Sequence, residues 1–529
     1  MNTATVRCGE RPLTLEELLA LARGEAKAAL STDPAWQARM QAGVDFVAAH
    51  LRSGEQVYGV TTGVGDSVVN PVAPAYAAQL QRNLLRFHGC GTGRFLTEEE
   101  SAAVVAARLA SLANGYSAIR PLILERLCEM LNRRLLPVIP AEGSVGASGD
   151  LTPLSYLAAA IVGEREVYWR GKIVPAAQGL QEAGLEPIQL EAKEALSLMN
   201  GTSVMTALSC IAFDQSLRLA RLSSALTAMA SDVTGGNQAH FDDRLFAAKP
   251  HPGQRACARW IAEDLGYDPK AKSQPRRLQD RYSIRCAPHV IGVLLDSAPF
   301  LRQLIETELN GANDNPLVDP DTGDVLHGGN FYGGHVCLAM DLLKNTVANL
   351  ADLLDRQLAI LCNPSMNHGD LPANLVLRSG PDATAHHGFK AMQIATSALT
   401  AEALKLTMPA SAFSRSTECH NQDKVSMGTI AARDCLRIVE LTETVAAIHL
   451  LALCQGVDIR KQEGCGKRSR ALHEAVRRRV SVNDGDRRMD GDIHVVLAAL
   501  RTGELPLGDK VFPDPLAKVA SGAGPVVPR

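Results

Sequence analysis

The chain has 529 residues, with 54 basic and 57 acidic side chains and a formal net charge of −3. At roughly 100–200 residues per domain it is too long for one ordinary domain, and its balanced charge offers no footing for nucleic acid or for an anionic membrane. Hydrophobic residues make up 46% and aromatic residues 4%, so the core is built of Ala, Leu and Val, a mix that favours packed helices over strands.

Thr14 followed by Glu17 is a capping-box pattern, and it opens a first helix carrying Leu18, Leu19 and Leu21. Thr97 and Glu100 repeat the pattern before an apolar run that stops at Asn114-Gly115, and Pro121 starts a further helix to about Leu136. From 137 to 153 the periodicity gives way to PVIPAEGSVGASGDLTP, a long Gly-, Ser- and Pro-rich loop of the kind that carries function. EVYWRGKIVP at 166–175 reads as a hairpin turning at Arg170-Gly171.

Four long helices follow, at about 203–232, 287–310, 334–362 and 427–456, each with apolar residues at three- and four-residue spacing. Helices of this length pack side by side in a bundle and against other subunits. The expected domains are 1–202, carrying the loop; 203–460, a central long-helix bundle; and 461–529, a C-terminal helical region. The last forty residues, with several prolines and glycines, are expected to wrap the surface.

Twelve cysteines run from Cys8 to Cys465 without a CxxC pair, which reads as a set of reduced thiols in a cytoplasmic protein. No N-terminal segment resembles a signal peptide, and the most apolar helical stretch, 445–454, is too short to span a bilayer. The basic stretch 466–479 reads as a solvated helix face.

Several glycine-rich segments lack the residues their chemistry would need. GVTTGVG at 59–65 has no GK[ST] ending; Gly149 directly after Ser148 breaks the G-x-S-x-G elbow of a serine hydrolase; NDGDRRMDGD at 483–492 has Arg488 where a calcium ligand should stand. His386 and His387 are adjacent and would diverge on a helix, and no metal cluster is evident.

The loop GSVGASGDLTPLSY at 143–156 makes chemical sense as an unusual backbone. Ala147, Ser148 and Gly149 are small, and a tight bend would let the Gly149 nitrogen attack the Ala147 carbonyl. Loss of two waters, one from the ring and one from Ser148, would leave a five-membered ring with an exocyclic methylidene. An isolated ASG triplet would be an ordinary small-residue turn, with Asp150 capping the next segment; the longer string sets it apart.

VGASGDLTPLSY resembles the signature of the histidine and aromatic amino acid ammonia-lyases. VYGVTTGVG (57–65), LMNGTS (198–203), QDRYSIRCAPHV (279–290), NDNPL (313–317), GGNFYGGHV (328–336) and NQDKVSMG (421–428) resemble further blocks of that family, in its order. The resemblance implies a mainly α fold of the fumarase/aspartase-like superfamily: a central bundle of long antiparallel helices with a smaller N-terminal catalytic domain. It also implies a homotetramer whose active sites are shared between subunits, and a 4-methylidene-imidazol-5-one made from Ala147-Ser148-Gly149, with no metal or dissociable cofactor.

By the same resemblance Tyr58 is the base that takes the β-proton. Its phenol normally titrates near ~10, so a nearby positive field is expected to lower it. Arg285 would clamp the substrate carboxylate as a fork, with Tyr282 three residues away orienting it. Asn200 and Gln279 would hydrogen-bond the prosthetic group or the carboxylate, and Phe331 would pack beside the ring.

The substrate ring is read in this family by a pair that here is Phe87-His88, a hybrid of the patterns of phenylalanine, tyrosine and histidine lyases. Phe87 favours a benzenoid ring and His88 a phenol or imidazole. Gln422 stands where histidine lyases resemble this stretch with Glu, and Glu418, on the same face if the segment is helical, resembles an acidic position of phenylalanine lyases. The expectation is an aromatic amino acid ammonia-lyase acting on tyrosine or phenylalanine, with a histidine ammonia-lyase, an aromatic 2,3-aminomutase and a non-catalytic helical scaffold as the other readings.

Overall fold

A computed structural model describes residues 4–53, 56–271 and 277–508. The end of the expected C-terminal tail, 509–529, lies outside the described residues. The protein is mainly α, with short two- and three-stranded sheets among the described residues.

Both capping boxes form. Thr14 accepts from the Glu17 amide at the start of Leu15–Arg23, and Thr97 from the Glu100 amide at the start of Glu98–Leu112, with the glutamates reaching back to the cap amides. Two orphan amide donors are thereby satisfied at each helix start. Pro121 begins Pro121–Arg133, which ends three residues earlier than the periodicity suggested because Arg134 turns left-handed at φ 57°. The expected hairpin is present as Glu166–Trp169 antiparallel to Lys172–Pro175, and both turn residues, Arg170 and Gly171, have positive φ. That is the twist a two-residue hairpin needs.

The expected seventeen-residue loop is shorter. Leu136–Pro137 and Pro140–Glu142 are strands and a helix begins at Leu151, so the irregular part is 143–150. The four long helices run Ser203–Val233, Ala287–Leu309, Gly334–Cys362 and Gly428–Ile459. The one helix among the described residues long and apolar enough to cross a membrane is Tyr282–Leu309 rather than 445–454; half of its most apolar window is buried. All twelve cysteines are free thiols.

Two compact units divide the chain. One comprises Met1–Ala212, Arg302–Asp341 and Pro409–Arg433; the other comprises Phe213–Leu301, Leu342–Met408 and Asp434–Arg529. The first is built around Glu98–Leu112, whose residues from Glu100 to Leu112 are all buried against Leu15–Arg23 and Pro121–Arg133. In the second, Pro252–Leu265 packs on Lys467–Arg477, and His449 is wholly buried, its Nε2 3.1 Å from Gln357 Oε1.

Candidate active site

The 143–150 loop is held from within the first unit. Asp150 is fully buried and accepts from the Ser144 hydroxyl at 3.0 Å, the Met205 amide at 2.8 Å and the Thr429 hydroxyl. Burial raises its carboxyl above the usual range, and these donors oppose the rise. The loop carbonyls are paired as well: the Met427 amide donates to Val145 at 3.0 Å and the Ser426 amide to Gly146 at 3.1 Å.

Gly149 is where the bend is made. Its φ is 65°, and a Cβ there would lie 2.0 Å from the Gly201 carbonyl oxygen, so no other residue fits. The Asp150 amide donates to the Gly201 carbonyl at 2.7 Å, and the Gly201 amide donates to the Ser148 carbonyl at 3.3 Å.

Ala147 and Ser148 open into a cavity of about 720 Å³, within the size range of small-molecule sites. Of the site residues expected from sequence, Tyr58, Phe87, His88, Ala147, Ser148, Asn200, Phe331, Glu418 and Gln422 all line it, and all belong to the first unit. Gln422 donates to the Ser148 hydroxyl at 3.4 Å. Asn200 donates to the Asn315 carbonyl at 2.7 Å while its buried Oδ1 has no hydrogen-bond partner. The Tyr58 hydroxyl accepts from the Gly65 amide at 2.7 Å, and the Glu418 carboxylate accepts from the neighbouring Asp66 amide at 3.0 and 3.1 Å. Glu418 is thereby fastened to the loop that carries Tyr58.

Several expectations change at this point. Burial and the Glu418 carboxylate push the Tyr58 phenol up, against the Gly65 hydrogen bond, where a lowering was expected. The segment from Glu418 to Gln422 is no helix: Glu418, Cys419 and His420 are left-handed, and Thr417 pairs with Gln422 across the turn. Phe87 is 57% exposed at the end of Ala77–Phe87, its ring 4.4 Å from that of His88. Burial and the Arg165 guanidinium lower His88 to about 4, which keeps it neutral near pH 7.

Gln279, Tyr282 and Arg285 belong to the second unit and do not line this cavity. There Tyr282 is 72% exposed, and the Arg285 guanidinium lies over its ring at 4.6 Å while donating to the Asp280 carbonyl at 2.9 Å. Sequence reasoning also passed over Lys424, Asn421 and Asn315, which line the cavity although each sits in or beside a quoted block. The signal for Lys424 was the cation following Gln422 in NQDKVSMG. Among the described residues no group of His, Cys, Asp and Glu could hold a metal ion.

The cavity thus holds a loop of three small residues bent around a glycine, a tyrosine, an idle asparagine oxygen and a carboxylate. The family model described as aromatic amino acid lyase matches residues 13–478. The chain belongs to that family. It is a carbon–nitrogen lyase with the mainly α fold of the fumarase/aspartase-like superfamily.

The chain is 38% identical to a histidine ammonia-lyase of Koribacter versatilis (strain Ellin345) over 508 residues, covering 93% of this chain and 97% of that one. Among solved structures, tyrosine aminomutase from Streptomyces globisporus is 34% identical with a TM-score of 0.87, over 97% of this chain and 99% of that one. Histidine ammonia-lyase from Trypanosoma cruzi is 33% identical with a TM-score of 0.85, over 95% and 94%.

The expected preference for tyrosine or phenylalanine is overturned by these relatives, since full-length similarity to histidine ammonia-lyases favours the histidine reading. Of the residue markers behind that expectation, Gln422 reaches Ser148 and Phe87 is largely exposed within one chain.

Proposed function

We propose that the protein is a histidine ammonia-lyase, forming urocanate and ammonia in the cytoplasm as a homotetramer with shared active sites. The single observation behind this reading is that Ala147-Ser148, Tyr58, neutral His88 and the carboxylate of Glu418 share one cavity. A carboxylate and a neutral imidazole can satisfy both ring nitrogens of a histidine side chain.

The tripeptide fits a 4-methylidene-imidazol-5-one. Its bend is fixed at a glycine with no room for a Cβ, and Asn200 offers a buried oxygen without a partner. Ala147, Ser148 and Gly149 would provide the ring atoms, and Asn200 and Gln422 would hold it. When formed, the group supplies an electrophilic carbon that makes ammonia a better leaving group.

The remaining roles belong to this chain's side chains. Tyr58 takes the β-proton on its phenolic oxygen; burial raises that phenol, so a cation brought close to it would favour the ionised base. Arg285 of a second copy would supply such a cation while gripping the substrate carboxylate, with Tyr282 and Gln279 of that copy beside it. Phe331 and Leu84 wall the cavity and keep water from the reacting centre.

Incubation of the purified protein with histidine, tyrosine and phenylalanine separately tests the reading. Urocanate is expected, and none from Ser148→Ala, which retains the wild-type circular dichroism. Coumarate or cinnamate without urocanate would refute the substrate, and a β-amino acid product would mark re-addition of ammonia, as in an aminomutase.

A further inference from the structure

Arg108 sits in the middle of Glu98–Leu112 and is 0% exposed. One of its terminal nitrogens donates to the Ser197 carbonyl; Nε and Nη1 have no hydrogen-bond partner. Burying a cation with idle donors is costly, and an apolar residue would suit this helix better. Asp314, whose charge acts on Arg108, is already taken by Lys193 at 2.7 Å, with both side chains 0% exposed.

What the guanidinium meets is Gly201. A Cβ on Gly201 would lie 2.4 Å from Arg108 Nη1, and its φ of 140° is a glycine conformation. The backbone of Gly201 carries the tripeptide through two hydrogen bonds, to the Ser148 carbonyl and from the Asp150 amide. Arg108 and Gly149 thus both approach Gly201 closely, and the residue before it, Asn200, lines the cavity.

We propose that Arg108 is a positioning residue for the self-processing of 147–149. It props Gly201 against the tripeptide and so holds the bend that brings the Gly149 nitrogen to the Ala147 carbonyl carbon. The inference rests on the reading that this tripeptide becomes the prosthetic group. In that processing the Gly149 N–Ala147 C bond forms. The Ala147 oxygen leaves as water with one proton from the Gly149 nitrogen and one from the Ser148 nitrogen. The Ser148 Cβ–Oγ bond then breaks, and the hydroxyl leaves as a second water with the Ser148 Cα proton. No oxidant or further reactant is needed.

Arg108→Met tests the proposal, because it keeps the length and removes the charge at the loss of one hydrogen bond. The variant is expected to melt at or above the wild-type temperature. A misplacement of about 1 Å slows an intramolecular attack by about 100-fold, so peptide mass spectrometry should find 147–149 retaining both waters at a time when the wild-type peptide has lost them. If Arg108→Met does not fold, Gly201→Ala decides: its methyl group displaces Gly201 while Arg108 stays, and the same retention is expected. A full two-water deficit in folded Arg108→Met, or in Gly201→Ala when Arg108→Met is unfolded, overturns the role of Arg108. A wild-type peptide with both waters still present overturns the prosthetic-group reading itself.

Discussion

Replacing Asp314 by Asn isolates the buried charge of Lys193. Lys193 donates to Asp314 at 2.7 Å, to the Ser197 hydroxyl at 3.0 Å and to the Ser117 carbonyl at 3.1 Å, at the head of Glu194–Met199, which leads into Asn200. The substitution leaves Lys193 buried without its carboxylate, and breaking a buried pair in this way costs about 3–5 kcal/mol. Lys193 is already lowered by burial, with Asp314 opposing, so in the variant its pKa falls further. The folded variant then binds fewer protons than the unfolded chain between that depressed value and the ordinary ~10.4, and its stability rises with pH across this window. Urea unfolding of the four members of a Lys193→Met, Asp314→Asn cycle, at pH 6.5 and pH 9, measures the coupling. A single-variant loss below about 1 kcal/mol, or an equal loss at both pH values, would refute the idea that this pair compensates a buried charge.

Three further outcomes are expected. Tyr58→Phe should lower kcat by about 100- to 10,000-fold, the usual contribution of a general base, with the two-water deficit at 147–149 intact; a wild-type rate would remove the base from Tyr58. Arg285→Lys forfeits a charge-assisted hydrogen bond of about 1.5–3 kcal/mol, so KM should rise by about 10- to 100-fold, and an unaltered KM would count against the clamp. His88 is held to about 4 in the folded chain against ~6.5 when unfolded, so the stability tied to its neutral form is present above pH ~6.5 and lost as pH falls toward 4. Melting temperatures of His88→Gln at pH 7 and pH 5 should differ by less than those of the wild type, and an identical difference would exclude the effect.

Local chemistry explains what could be read in advance. The capping boxes at Thr14 and Thr97, the Arg170-Gly171 turn and the four long apolar periodicities depend on neighbours within a few residues, so the sequence carries them whole. Pro34–Ser53 escaped notice because it buries only Met40, Gly43 and Val47, and so lacks a continuous apolar stripe. The parallel pair Ala4–Cys8 and Ala26–Leu30 escaped for a related reason, since AKAAL has no strand signature and its pairing is set by a partner more than twenty residues away.

By itself the sequence determined which residues were candidates for chemistry: a small-residue tripeptide, a tyrosine, an arginine and a carboxylate in blocks that resemble a lyase family. Tertiary structure alone decided how they are grouped. Tyr58, Ser148, Asn200, Glu418 and Gln422 converge from segments far apart in the chain, while Tyr282 and Arg285 fall in the other compact unit. The reason is physical. Electrostatic fields and close approach depend on distances through space, and it is burial beside Glu418, unmarked by local spacing, that raises the Tyr58 phenol.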